Sequence, residues 1–289
     1  MRNPVEKYYA ASNGDICYFE WGEAGDEPSI LLLHATGFHA RCWDKLIEAL
    51  PADRHIIAAD HRGHGRSSKP DSLSDWSQQA RAIADLIEGL DLNNLIGVGH
   101  SMGGYCVVQV AGWDESRFQR LVLVDPTIVE AEVYINPPAL SEIDPNDHPV
   151  ARRRNIWASA EEMFEHFKER HPYSLWDPEV LRDYCTYGLL PAADGAHLEL
   201  ACPPHLESSI YQGFRCCDPY PSLANITVPI LILRAQQGAK DGQMDFANSP
   251  TWTELASAFH NATDVFIPEL SHFMPMQDPT RIASYILTE

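Results

Sequence analysis

Short apolar runs alternate with stretches of helical periodicity through the first 126 residues, and few architectures accommodate that rhythm. Residues 16–21 read as a strand. Ser29-Ile30-Leu31-Leu32-Leu33 is a continuous apolar run with no alternation, as in a strand buried on both faces. Residues 41–50 carry Trp43, Leu46, Ile47 and Leu50 at helical spacing, and Pro51 stops that helix. Further strands are expected at 55–59, 95–99 and 121–124. Helices are expected at 74–90, capped by Ser74 or Asp75, and at 102–113. Strand–helix alternation of this kind predicts an α/β fold: a mostly parallel sheet flanked by helices on both faces.

The rhythm stops after residue 126. From 127 to 220 the chain is Pro-rich and aromatic, helix-punctuated, with no strand expected. It resumes with a strand at 228–233. A helix at 250–259 follows, Ser249 placed to cap it and Pro250 at its first position, then a strand at 264–267 and a closing helix at 279–287. Residues 1–126 and 221–289 therefore form the core, and 127–220 an insertion on the sheet's edge.

A chain of 289 residues fits one large domain able to bury a core without disulfides. Its net charge of −20 disfavours nucleic acid and anionic membrane surfaces as partners. Seven cysteines, an odd number without a C-x-x-C pair, read as reduced, packed thiols. The first twenty residues lack a continuous apolar stretch, and no run of eighteen apolar residues occurs. A cytoplasmic location is the expectation. Cys202-Pro203-Pro204 reads as a rigid turn.

The chemistry concentrates at Gly99-His100-Ser101-Met102-Gly103, a G-x-S-x-G motif between an expected strand and an expected helix. In such a turn the flanking glycines let backbones pass, and the serine is held at the head of the helix. A serine hydroxyl needs a base. Of the thirteen histidines, His272 lies between the last strand and the last helix, in a loop over the strand C-termini, where open α/β sheets bind ligands.

With these residues in place the sequence resembles the α/β-hydrolase superfamily over nearly its whole length. Leu33-His34-Ala35-Thr36-Gly37-Phe38 is similar to the family's oxyanion loop, with Ala35 where glycine is usual. Asp60-His61-Arg62-Gly63-His64-Gly65-Arg66-Ser67 is similar to its D-x-R-G-x-G-x-S loop, Gly99–Gly103 to its nucleophile elbow, and His272 to its terminal histidine. The family loops account for His34, His61 and His64, and no residue set with metal spacing accompanies them, so neither a metal nor a cofactor is expected.

The resemblance implies a Ser101–His272 pair and an oxyanion hole from the N–H groups of Met102 and Thr36, with Gly37 as the alternative to Thr36. It places the acid after the sixth or the seventh strand. Asp125 follows the sixth; Asp241 and Asp245 follow the seventh. The spacing back from His272 favours Asp245, with Asp125 the alternative. The implied activity is that of a serine carboxylesterase working through an acyl-enzyme on small uncharged esters, with 127–220 as a helical lid. Lactonase, thioesterase, C–C bond hydrolase and cofactor-free perhydrolase chemistry use the same pair. A non-catalytic small-molecule receptor on the same fold is the reading from a different class.

Overall fold

A computed structural model describes residues 3–139, 142, 144–238 and 245–288. The chain opens with strand β1 (Val5–Ala11), which turns tightly into β2 (Gly14–Trp21). The central strands follow as β3 (Ser29–Leu33) and, after the short helix α1 (Asp44–Glu48), β4 (Ile56–Ala59). Helix α2 (Trp76–Gly89) leads to β5 (Leu95–His100), and α3 (Met102–Trp113) to β6 (Phe118–Val124).

Beyond β6 the chain leaves the sheet. It forms β7 (Ile156–Trp157), α4 (Ala160–Phe167), α5 (Pro178–Tyr187), β8 (Leu189–Pro191), β9 (Leu198–Leu200), α6 (Pro204–Gly213) and α7 (Tyr220–Leu223). It re-enters the sheet as β10 (Ile230–Ala235) and β11 (Ala262–Ile267), then closes with α8 (Met274–Gln277) and α9 (Pro279–Leu287).

The main sheet runs β1-β2-β4-β3-β5-β6-β10-β11. Only the pairings β1–β2 and β2–β4 are antiparallel, so the expected mostly parallel sheet with flanking helices is observed. One face packs under α2 and α3, where Leu31, Leu33, Ile83, Leu86, Val107 and Leu121 are fully buried. The other packs under α1 and α9 through Ile30, Leu32, Trp43, Val98, Ile282 and Ile286. Each such side chain contributes about 2 kcal/mol of burial, offset by the entropy of ordering it. Asp75 caps α2, accepting from the Ser77 N–H at 3.0 Å.

One strand has no counterpart among the expected elements, and two expectations are corrected. Residues 5–11 form an edge strand whose side chains are largely exposed, which left no apolar signature to read. The stretch 127–220 contains strands after all: β7, β9 and β8 make a small antiparallel sheet of two- and three-residue strands, too short to carry periodicity. Residues 250–259 hold only a single 3-10 turn, Leu255–Ala258. Ser249 does not cap a helix there; its hydroxyl donates to Asp125, and the Trp252 N–H bonds Ile128 O instead of a carbonyl one turn back. Among the described residues, no helix is long and apolar enough to cross a membrane.

Candidate active site

Strand β5 ends at the elbow and α3 begins at Met102, leaving Ser101 between them at φ +55° and ψ −117°. A β-carbon makes that conformation costly for a non-glycine residue, roughly 1–3 kcal/mol, and such strain persists where the surroundings enforce it. The enforcing contacts are backbone: Ser101 N–H donates to Val124 O at 3.1 Å, and Ser101 O accepts from Gly104 and Thr127. A β-carbon on Gly99 would stand 2.3 Å from Gly103 O, and one on Gly103 would stand 2.2 Å from Leu33 O. Neither neighbour is a movable side chain. Gly99→Ala is therefore expected to destabilise the fold by about 3 kcal/mol or more. Chemical denaturation checks this, and a wild-type midpoint would show that the elbow can relax.

Ser101 Oγ lies 3.1 Å from His272 Nε2, and His272 Nδ1 lies 2.6 Å from Asp125 Oδ2. The loop bearing His272 is fixed by its main chain. His272 N–H donates to Ala247 O at 2.8 Å, and His272 O accepts from His100 Nε2 at 2.8 Å. Asp125 is fully buried at the end of β6, at φ +45°. Its Oδ1 accepts from the Ala235 N–H (2.9 Å) and the Ser249 hydroxyl (2.7 Å), with the Thr251 hydroxyl 3.2 Å away and donating to Pro126 O at 2.7 Å. Oδ2 is thereby left for the imidazole, an arrangement of charge-assisted bonds.

The acid expected from spacing is thus corrected. Asp245 does not meet His272; it pairs with exposed His171 at 3.1 Å and accepts from the Ala247 N–H at 2.9 Å. The alternative, Asp125, makes the contact because β6 lies between β5 and β10, so its end abuts the elbow. Asp241 lies outside the described residues. Thr127, which the sequence did not single out, places its hydroxyl 3.0 Å from Ser101 Oγ. Its only sequence signal is its place just after Asp125-Pro126.

Met102 opens α3, so its N–H has no carbonyl one turn back. The Thr36 hydroxyl donates to Met102 Sδ at 3.6 Å, which joins the two expected oxyanion donors. Gly37, the alternative donor, has its N–H committed to His64 Nε2 at 3.0 Å. That acceptor is in turn fixed by His64 Nδ1 bonding Arg62 O at 3.0 Å. His34 is held likewise, Nδ1 on Ala35 O at 2.7 Å and Nε2 accepting from the His61 N–H at 3.0 Å. The Asp60 loop braces this turn: Asp60 accepts from the Ala40 N–H at 2.7 Å and the Arg66 N–H at 2.8 Å.

These rings are held neutral. Burial pushes His39 and His61 down to about 3, and pushes His34, His64 and His100 well below the ordinary histidine value. Below about pH 6.5 the unfolded chain binds protons that the folded chain refuses, so stability falls as pH drops from there toward 3. The loss is on the order of 1 kcal/mol per ring per pH unit. Burial also raises Asp44, Asp60 and Asp183, the last to about 7, and these act in the opposite sense, but they are three carboxyls against five rings. The unfolding midpoint is expected to fall by roughly 10 °C or more between pH 7 and pH 5. A flat midpoint over that range would contradict neutral burial.

A cavity of about 290 Å³ opens over Ser101 and His272, walled by Trp76, Val129, Phe214, Phe246 and Phe273. Ser101 of the elbow lines it, and the segment after β6 contributes Val129, His148, Tyr211 and Phe214 to its lining.

The model of the alpha/beta hydrolase family matches residues 30–285. The chain belongs to the alpha/beta hydrolase family. Among curated relatives, the non-heme chloroperoxidase of Streptomyces lividans is 34% identical over 131 residues, 44% of this chain and 46% of that protein. Monoacylglycerol lipase abhd6-B of Xenopus laevis is 31% identical over 125 residues, 42% of this chain and 36% of that protein. The uncharacterized protein Rv2715 of Mycobacterium tuberculosis is matched over 33% of its length, so the chain spans about a third to a half of such relatives. E-2-(acetamidomethylene)succinate hydrolase superposes with a TM-score of 0.76 at 22% identity, covering 98% of both chains. The thioesterase domain from the curacin biosynthetic pathway gives 0.73 at 19%, covering 99% of both. At these identities the likeness is one of fold.

Proposed function

We propose that this alpha/beta hydrolase is a serine carboxylesterase that works through an acyl-enzyme. The observation that carries the reading is the chain of contacts Ser101 Oγ–His272 Nε2–Asp125 Oδ2, at 3.1 and 2.6 Å, on the floor of an apolar cavity. Because His272 Nδ1–H donates to Asp125, Nε2 is left as an acceptor for the serine proton.

Ser101 Oγ attacks the ester carbonyl as His272 Nε2 takes its proton, and Asp125 stabilises the imidazolium that results. The tetrahedral oxyanion accepts from the Met102 and Thr36 N–H groups, each worth about 3 kcal/mol in the transition state. His272 then protonates the departing alcohol. Water, deprotonated by the same ring, attacks the acyl-enzyme and releases the acid with Ser101 restored. Residues 127–220 act as the lid, whose side chains close the cavity over Ser101. No step calls for a cofactor. The apolar wall suits small or medium uncharged esters, and the acidic chain suits a cytoplasmic protein with no affinity for nucleic acid. Relatives named as a monoacylglycerol lipase and, at the level of fold, a thioesterase and an enol-lactonase are in keeping with acyl transfer.

The test is release of p-nitrophenol from the acetate, butyrate and octanoate esters, paired with labelling by diisopropyl fluorophosphate. Turnover with a mass increment on the peptide carrying Ser101 is expected. Absence of both turnover and label would sink the proposal.

A further inference from the structure

A second cavity, of about 310 Å³, adjoins the first and shares Thr36, Phe38, Tyr211, Phe246 and Phe273 with it. Its charged wall residues, among those described, are Arg153 and Glu207. Arg153 donates to Glu207 Oε2 at 2.6 Å and to the Tyr184 hydroxyl at 2.8 Å. Glu207 is only 4% exposed, and it lies against the oxyanion turn, where a β-carbon on Gly37 would meet its Oε1 at 2.4 Å.

The pair is incompletely used. A guanidinium carries five N–H donors, of which two have protein partners among the described residues. Glu207 Oε1 likewise has no protein hydrogen-bond donor among them. One wall of the cavity therefore offers unspent donors beside an unspent acceptor, with opposite charges already neutralised. A ligand that displaces water from that wall must replace the water's hydrogen bonds or leave charged groups unsatisfied.

Four kinds of ligand group can be compared on this basis. An alkyl chain satisfies neither partner. A carboxylate satisfies Arg153 but is brought up against Glu207, and an ammonium does the reverse. A neutral group with an acceptor and a donor side by side satisfies both.

We propose that the Arg153–Glu207 wall is a substrate subsite for a neutral carboxamide, so that the preferred esters carry an amide a few carbons from the scissile carbonyl. This rests on the esterase reading for the meaning of the substrate, but binding at the subsite does not require turnover. Arg153 and Glu207 set specificity here and take no part in bond breaking.

The experiment measures dissociation constants by ligand-observed NMR on the Ser101→Ala protein. The probes are methyl glutaramate and methyl adipamate, the methyl alkanoates of equal length, and the monomethyl diacids. An amide ester is expected to bind roughly tenfold more tightly than its alkanoate, the scale of one or two well-made hydrogen bonds, with the monoacids weakest. Adding Glu207→Gln leaves Arg153 uncompensated and is expected to make the monoacids the tightest ligands. Equal affinities across the panel, or monoacids tightest before that substitution, overturn the subsite whether or not the double variant folds. The expected order in a protein whose wild type releases no methanol and no p-nitrophenol would uphold the subsite while removing the esterase reading.

Discussion

Ser101→Ala is expected to lower kcat/KM toward short p-nitrophenyl esters by on the order of 10³ or more while leaving the fold intact. The substitution deletes one oxygen. Its contacts are His272 Nε2 and the Thr127 hydroxyl, and both groups border the cavity, where water can replace the lost partner. The strained φ of +55° is set by backbone bonds to Val124, Gly104 and Thr127, which alanine keeps. An unchanged unfolding midpoint should therefore accompany the loss of turnover. The residual rate would come from the oxyanion donors and the imidazole acting on bound ester with water as nucleophile. This substitution also separates the two classes of function open to the fold. A receptor would bind its ligand equally well with either residue and turn over none. A wild type and variant of equal, nonzero activity would point to a contaminating esterase and would falsify the role given to Ser101.

The sheet was legible because its central strands are buried on both faces and so appear as unbroken apolar runs: Ile30 to Leu33 and Leu121 to Val124 have no exposed position. Strand β1 was not, since an edge strand with solvent on its sides keeps its order through backbone pairing to β2, which composition does not record. The small sheet of β7, β8 and β9 escaped for a related reason: two or three residues fall short of the roughly four or more over which alternation can be read. In the site, Ser101 and His272 could be read from local context, a glycine-bounded turn and a loop between the last strand and helix. The acid could not be read that way. Its identity depends on which strand end abuts the elbow, and the sheet order, not the chain order, places β6 beside β5. Counting back from His272 led to Asp245, a residue that instead binds His171, between α4 and α5.

That distinction sets the second large effect. Asp125→Asn is expected to lower kcat by roughly 10⁴ near neutral pH, with KM little changed. The asparagine fits the same space, but its orientation is dictated by its surroundings. The Oδ1 position receives the Ala235 N–H, a main-chain donor that cannot turn away, and the Ser249 hydroxyl, so the amide oxygen occupies it. The amide NH2 is then turned toward His272 Nδ1, which can only accept. The ring is driven to the tautomer with its proton on Nε2, facing Ser101 Oγ as a donor, and it can no longer take the serine proton. Part of the activity should return at high pH, where hydroxide bypasses the missing base. Asp245→Asn weakens an exposed contact to His171, of the kind worth about 0–1 kcal/mol, keeps an amide oxygen to accept from the Ala247 N–H, and should change kcat by no more than about threefold. Comparing the two variants at matched folding, checked by circular dichroism, reads the assignment directly. A collapse of kcat in Asp245→Asn with near-normal turnover in Asp125→Asn would mean that the working enzyme draws its acid from the segment after β10, by a rearrangement that breaks the 2.6 Å contact between Asp125 and His272.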